Sequence, residues 1–203
     1  MGGERQLVSL ARYLNDTGLP QAWELVPLLD AQCGDGSFFE TIYTVDRQEP
    51  VVYSVGLSNQ RRYRRDDLMG MDLSGREFLE RAHRMGRAVW SETFLSTVSG
   101  KLAVALTVPL SDTVVVGEIT LNQLSEFISH LPAGAGLFTM VVDRQGRIVA
   151  DSEKVRWGQV LDLSILPVSN GDADGTVGSH AFRLDDHSLM GTVVDVDELG
   201  WKV

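Results

Sequence analysis

The chain has 203 residues, 43% hydrophobic and 23% charged, with a formal charge of −10. These proportions suit a soluble globular protein, and the acidic balance argues against nucleic acid, whose phosphates need clustered cations. No stretch nears the ~18 apolar residues of a membrane span, and a lone cysteine, Cys33, excludes a disulfide framework and a multi-cysteine zinc site.

In chain order, Leu7, Leu10, Ala11 and Leu14 fall at helical spacing within residues 4–15. Gly18-Leu-Pro20 interrupts that helix. A second is expected over 21–32, with Leu25, Val26 and Leu29 on one side and a kink or break at Pro27. An antiparallel strand pair, 38–45 and 51–55, follows, then an arginine-rich loop or short helix over 58–70. Ser74 predicts an N-cap for a helix over 75–85, with Glu77 completing a capping box. Strands are expected at 88–96, 101–109 and 113–121, the first two joined by a turn at Val98-Ser-Gly100. The amphipathic run 122–131 ends in Pro132-Ala-Gly-Ala-Gly, a linker. Both ends read as cut from a longer chain.

Three ordered echoes mark an internal repeat. Val45-Asp-Arg-Gln48 recurs at Val142-Asp-Arg-Gln145, each flanked by β-branched runs like a hairpin. Asp72-Leu-Ser74 recurs as Asp162-Leu-Ser164, and the run from Gly117 is echoed from Gly191. Asp46 and Asp143 sit at the hairpin turns, where Asp caps backbone amides, so their recurrence is structural. On the Gly117–Gly191 match the second module is 23 residues shorter (97 minus 74, from the first and last echoes), trimmed where the first has helices and loops. The expected division is a helical segment 1–34, a first module 35–131 and a smaller second module 132–203.

The runs Asp72-Leu-Ser-Gly-Arg-Glu-Phe-Leu79, Trp90-Ser-Glu-Thr-Phe-Leu-Ser96, Val104-Ala-Leu-Thr-Val-Pro109 and Val116-Gly-Glu-Ile-Thr-Leu121 resemble the double Cache sensor domain. The run Val142-Asp-Arg-Gln-Gly-Arg-Ile-Val149 is similar to the opening of its membrane-proximal half. The resemblance implies an α+β fold: a long N-terminal helix, here broken at Pro20 and Pro27, then two tandem PAS-like modules, each a mainly antiparallel sheet with flanking helices. It implies an extracytoplasmic (periplasmic) sensing domain between the spans of an inner-membrane signalling protein. The output would be a histidine kinase, a diguanylate cyclase or phosphodiesterase, or a chemoreceptor. A small-molecule ligand (a carboxylate, amino acid or amine) would sit in the membrane-distal module.

Strand parity locates a pocket independently. In 101–109, Leu102, Val104, Leu106 and Val108 form an aliphatic face, while Ala103, Ala105 and Thr107 leave room on the other. In 88–96, Trp90, Glu92, Phe94 and Ser96 share a face, and in 113–121 Glu118 and Thr120 do. One face of the sheet thus mixes aromatics, small residues and a carboxylate, as small-molecule pockets do. Arg76, in the covering helix, could fork a carboxylate, and Glu118 could receive an ammonium or hydroxyl. Trp90, Phe94 and Tyr53 would supply walls. Against the motif of that family's amino-acid-binding branch the match is incomplete: Arg76 and Phe78 match approximately and Phe94 takes the strand-aromatic position. Ser96 stands where an acid would be, and Glu118 occupies the place of the other acidic contact.

Each residue has a plainer use. Arg76 could pair at the surface with Asp72, Glu77 or Glu80; Trp90 and Phe94 could be core, and Glu118 solvated. Arg61-Arg-Tyr-Arg-Arg65 could guard the pocket and attract anions, but Asp66-Asp67 can neutralise it, and it reads as a solvated loop. Asn170-Gly-Asp-Ala-Asp-Gly175 resembles half a calcium loop, but Ala181 replaces its twelfth-position Glu, so it reads as a polar turn. No metal site, cofactor or catalytic constellation is expected. The N-terminal stripe suits either a parallel homodimer or attachment to the chain's own modules. The rival reading is a cytoplasmic tandem PAS module serving dimerisation or cofactor binding.

Overall fold

The computed structural model describes residues 2–33, 36–130, 137–156, 158–166, 179–184, 187–196 and 200–203. The linker at 132–136 and the calcium-loop-like stretch 170–175 lie outside the described residues. The chain divides into two compact units, Met1–Gln123 and Leu124–Val203.

In the first unit, Leu7, Leu10, Ala11 and Leu14 lie on one side of α1 (Gly2–Thr17) and are all buried. Burying each leucine is worth roughly 1.5–3 kcal/mol. The stripe therefore holds the helix on its own unit and is not available to a second chain. Helix α2 (Ala22–Asp30) starts at a capping box in which Glu24 accepts from the Gln21 amide at 3.0 Å. It runs through Pro27 without ending, so the expected break falls only at Gly18-Leu-Pro20. Leu25, Leu29 and Asp30 form its buried side. The helix lies close on the sheet because Gly56 has no side chain: a Cβ there would lie 2.5 Å from Leu29 Cβ.

The sheet pairs β1 (Thr41–Asp46) with β2 (Val52–Leu57), all of it antiparallel. A 3-10 segment (Asn59–Arg64) and α3 (Arg65–Leu68) follow, then α4 (Glu77–Met85), β3 (Val89–Trp90), β4 (Phe94–Leu95), β5 (Leu102–Pro109) and β6 (Thr113–Thr120). The strand order is β2-β1-β6-β5-β3, with β4 also on β5. Helix α1 packs on β5 and β6, and α2 on β2. The opposite face carries α3, α4 and a core of Tyr43, Val45, Val55, Leu68, Phe78 and Val116, among others.

Two local expectations fail for identifiable reasons. Ser74 is not the N-cap: Asp72 Oδ1 accepts its amide at 2.8 Å, and the Arg76 amide donates to Leu73 O at 2.9 Å. That turn delays the helix, leaving Arg76 at the N-cap position. The strand 88–96 is interrupted at Ser91. Its amide donates to Ala105 O and its Oγ accepts from Ala105 N, both at 2.7 Å, so a side chain replaces part of the ladder. Trp90 pairs with Leu106 but Phe94 with Ala103, a slip of one residue.

The second unit contains the rest of α5 (Leu121–Ser129), which begins in the first. Strands β7 (Met140–Val142), β8 (Ile148–Asp151), β11 (Asp195–Val196) and β12 (Trp201–Lys202) form a sheet ordered β11-β12-β7-β8. The β9 (His180–Leu184) and β10 (His187–Gly191) hairpin is separate from it. Val142, Ile148, Leu161 and Leu184 form the core. Asp151, wholly buried, accepts the amides of Glu153, Val155 and Arg156 at 2.9–3.1 Å and fixes the turn after β8.

The repeat extends to backbone detail. Asp46 Oδ1 accepts the amides of Gln48 and Glu49, and Asp143 Oδ1 those of Gln145 and Arg147. Both hairpins also carry a bulge at the same place. Pairing shifts between Thr44 and Val45 in one and between Val141 and Val142 in the other, leaving Tyr53 and Val149 as the extra residues. The Ser164 amide donates to Asp162 at 2.9 Å, as Ser74 does to Asp72.

The third echo is not structural. Val45 pairs with Val114 and Val142 with Lys202, so Lys202 corresponds to Val114, and the run from Gly191 precedes that strand. The 23-residue shortening goes with it. By register the spans are 69 residues (45 to 114) and 60 residues (142 to 202).

Candidate functional site

On the sheet face away from α1, β6 presents Val114, Val116 and Glu118 beside Tyr43 of β1 and Ala105 of β5. Ala105 stands directly opposite Glu118, so the small side chain leaves space above the acid. Glu118 is 3% exposed. Its Oε1 accepts from Tyr43 Oη at 2.9 Å and its Oε2 from Ser96 Oγ at 2.5 Å. Burial pushes the Glu118 carboxyl above its ordinary value, opposed by the Ser96 and Tyr43 hydrogen bonds and by the Arg76 charge. Burial likewise raises the Tyr43 hydroxyl, and the neighbouring Glu118 raises it further.

Arg76 sits half-buried at the start of α4, its guanidinium carbon 5.0 Å from the centre of the Phe94 ring. Phe94 in turn lies 5.5 Å from Phe78, with ring planes tilted by 33°. A cation over an aromatic face is attracted by the ring quadrupole, which fixes the guanidinium without neutralising it. A narrow cavity ends on Glu118, walled by Tyr43, Leu73, Thr97 and Val98. It leaves about 10 Å³ for the centre of a water-sized guest, room for about one water.

The structure thus gathers Arg76, Phe78, Phe94, Ser96 and Glu118. It does not bring Tyr53 or Trp90 to them. Tyr53 is the bulge residue of β2, and its hydroxyl donates to Pro20 O, between α1 and α2, at 3.3 Å. Trp90 pairs with Leu106 on the aliphatic face, because the slip at Ser91 separates its parity from that of Phe94. Sequence reasoning missed Tyr43. Its alternation with Val45 was legible, but its closeness to Glu118 depends on β1 pairing with a strand about 70 residues later.

The arginine run is not a solvated loop. Arg61 pairs with Glu40 at 2.7 Å. Arg62 and Arg65 converge on buried Asp30 at 3.1 and 2.5 Å, and the Leu57 amide donates to the same carboxylate at 2.8 Å. Arg64 donates to the carbonyls of Thr97 and Val98 at 3.3 and 2.9 Å. Those carbonyls belong to the turn that walls the Glu118 cavity. The segment 59–65 is therefore tied both to α2 and to the edge of the site. Among the described residues no group of His, Cys, Asp or Glu has the arrangement of a metal site.

No family model matches the chain, and no curated protein matches it. Solved structures do. The ligand-binding domain of the Pseudomonas fluorescens chemoreceptor CtaA, in complex with L-isoleucine, superposes with a TM-score of 0.68 at 17% identity, covering 99% of this chain and 81% of that one. That of the Pseudomonas aeruginosa amino acid chemoreceptor PctC, in complex with GABA, gives 0.65 at 17%, covering 99% and 87%. PctB of the same organism, in complex with L-Arg, gives 0.63 at 18%, covering 97% and 81%. At these identities the likeness is one of fold, and it spans nearly the whole chain.

Proposed function

We propose that this chain, which has the fold of chemoreceptor ligand-binding domains, is the extracytoplasmic sensing domain of a membrane-spanning signalling protein and binds a small amino acid, amine or carboxylate in its first, membrane-distal module. The parent would be a chemoreceptor, a sensor histidine kinase, or a diguanylate cyclase or phosphodiesterase. The observation that carries the reading is a pair of opposite charges close enough for the Arg76 guanidinium to act on the Glu118 carboxyl. Arg76 is held over Phe94 and, among the described residues, makes no ion pair, while Glu118 is buried at the end of the cavity. A zwitterion satisfies both, its carboxylate on the guanidinium fork and its ammonium on Glu118.

Glu118 meets two hydroxyls that reorient, so an arriving ammonium need not displace a fixed cation. Entry requires the 97–98 turn to move outward, because the cavity as it stands admits about one water. Binding would then favour an open arrangement of that turn over the closed one, which is how a ligand shifts a two-state element.

The test is a thermal-shift screen with amino acids, amines and carboxylates. A ligand at about 100 times its dissociation constant adds about 2.7 kcal/mol of stability. Arg76→Ala should remove the shift for carboxylate-bearing ligands and Glu118→Gln that for ammonium-bearing ones. Hits that bind both variants as tightly as wild type would sink the assignment.

A further inference from the structure

A groove of about 590 Å³ lies between the C-terminal half of α2 and the 3-10 segment, within the usual range for small-molecule sites. It is separate from the cavity above Glu118. On one side Val26, Pro27 and Ala31 give an apolar wall; on the other stand Asn59, Gln60 and Arg62.

The charge in this groove is unbalanced. Asp30 is its acid, but each of its oxygens is already taken: Oδ1 by the Leu57 amide and Arg65, Oδ2 by Nε of Arg62. Among the described residues, two guanidiniums against one carboxylate leave a net positive charge. Asp30 is 8% exposed and Arg62 is 52% exposed. The acid is therefore sealed beneath while the cation faces the opening. Only Nε of Arg62 meets Asp30, and among the described residues its terminal nitrogens have no protein partner. The side-chain amides of Asn59 and Gln60, exposed beside it, also have none among the described residues. Arg61 and Arg64 turn elsewhere, to Glu40 and to the 97–98 turn. Cys33, also lining the groove, adds no negative charge, since burial pushes its thiol up to about 12.

We propose that this groove is a second small-molecule site, taking a short aliphatic carboxylate whose oxygens lie on the terminal nitrogens of Arg62 and whose hydrocarbon body lies on Pro27 and Ala31. A planar guanidinium edge accepts a carboxylate through two parallel hydrogen bonds, and the adjacent amides supply further donors. The assignment stands whether or not the Glu118 cavity binds anything.

The experiment is an NMR titration of the 203-residue chain with sodium butyrate, using butylamine as the control of opposite charge. Saturable shifts at the Asn59 and Gln60 side-chain amides are expected with butyrate and not with butylamine. Arg62→Gln should weaken them at least about ten-fold, as loss of a charge-assisted pair does; Arg65 and the Leu57 amide still hold Asp30 in that variant. Asn59→Asp, an exposed change that leaves the Asp30 network intact, should weaken binding as well. Three outcomes would each overturn the site: no saturable shift with butyrate, an equal response to butylamine, or shifts that survive both substitutions.

Discussion

Ser96 joins the floor of the Glu118 cavity to its wall. Its hydroxyl donates to Glu118 at 2.5 Å while its oxygen accepts the amides of Val98 and Ser99, each at 3.2 Å. Ser96 thereby couples the Glu118 carboxyl to the 97–98 turn.

That link has a pH signature. The folded protein keeps the Glu118 proton to higher pH than the unfolded chain, because burial raises its value above the ordinary 4.5. The resulting stability is full below that value and is lost as pH rises through the raised one. Glu118→Gln keeps an uncharged acceptor there and removes the dependence. The melting temperature of wild type minus that of Glu118→Gln should fall as pH increases from below 4.5. A flat difference would mean the carboxyl is not perturbed.

Asp30 is the anchor of the arginine run, so Asp30→Asn should cost about 2–3 kcal/mol, less than a fully buried pair because Arg62 is half exposed. Arg65→Gln should cost more than Arg62→Gln, since Arg65 is 21% exposed against 52%. Urea unfolding of the three variants gives the ranking; the reverse order for the arginines would contradict the network.

Gly56→Ala should destabilise by about 1–3 kcal/mol, as overpacking does, because the new methyl meets both the backbone and Cβ of Leu29. Gly75→Ala is the control: nothing lies within 4 Å of its Cβ position and its φ is not positive, so it should be neutral or slightly stabilising. Equal effects would argue against the close approach of α2 to β2.

Cys33 is buried with a neutral thiol, and the thiolate is the species that alkylates. Iodoacetamide at neutral pH should leave it unmodified in the folded chain and label it fully in denaturant. Mass spectrometry reads both. Rapid labelling of the native protein would place Cys33 outside the core.

Much of the fold was legible because most strands kept one parity. Alternation along β5 sorted Leu106 from Ala105 and Thr107, and Glu118 was assigned to the correct face. Parity failed where the chain inserts a residue. The bulge at Tyr53 and the Ser91 interruption each reverse the facing of residues beyond them, and neither has a glycine or proline to announce it. The Gly191 echo misled for a related reason: likeness in sequence says nothing of register. The arginine run could not be resolved at all, because Asp30 and Glu40 come from segments whose approach is a property of the sheet rather than of local spacing.

The arginine run also bears on the order of assembly. Apart from Asp67 and the Val55 carbonyl, to which Arg65 donates at 3.2 Å, its partners lie well away in sequence: Glu40 and Asp30 before it, Thr97 and Val98 after. Contacts of that kind form only once the strands that carry them have met, and they supply no local nucleus. Residues 59–65 should consequently dock late, and the part that docks late is the part that detaches first. Amide exchange along those residues, faster than along β5 and β6, would expose a unit that opens at one margin while its centre remains closed.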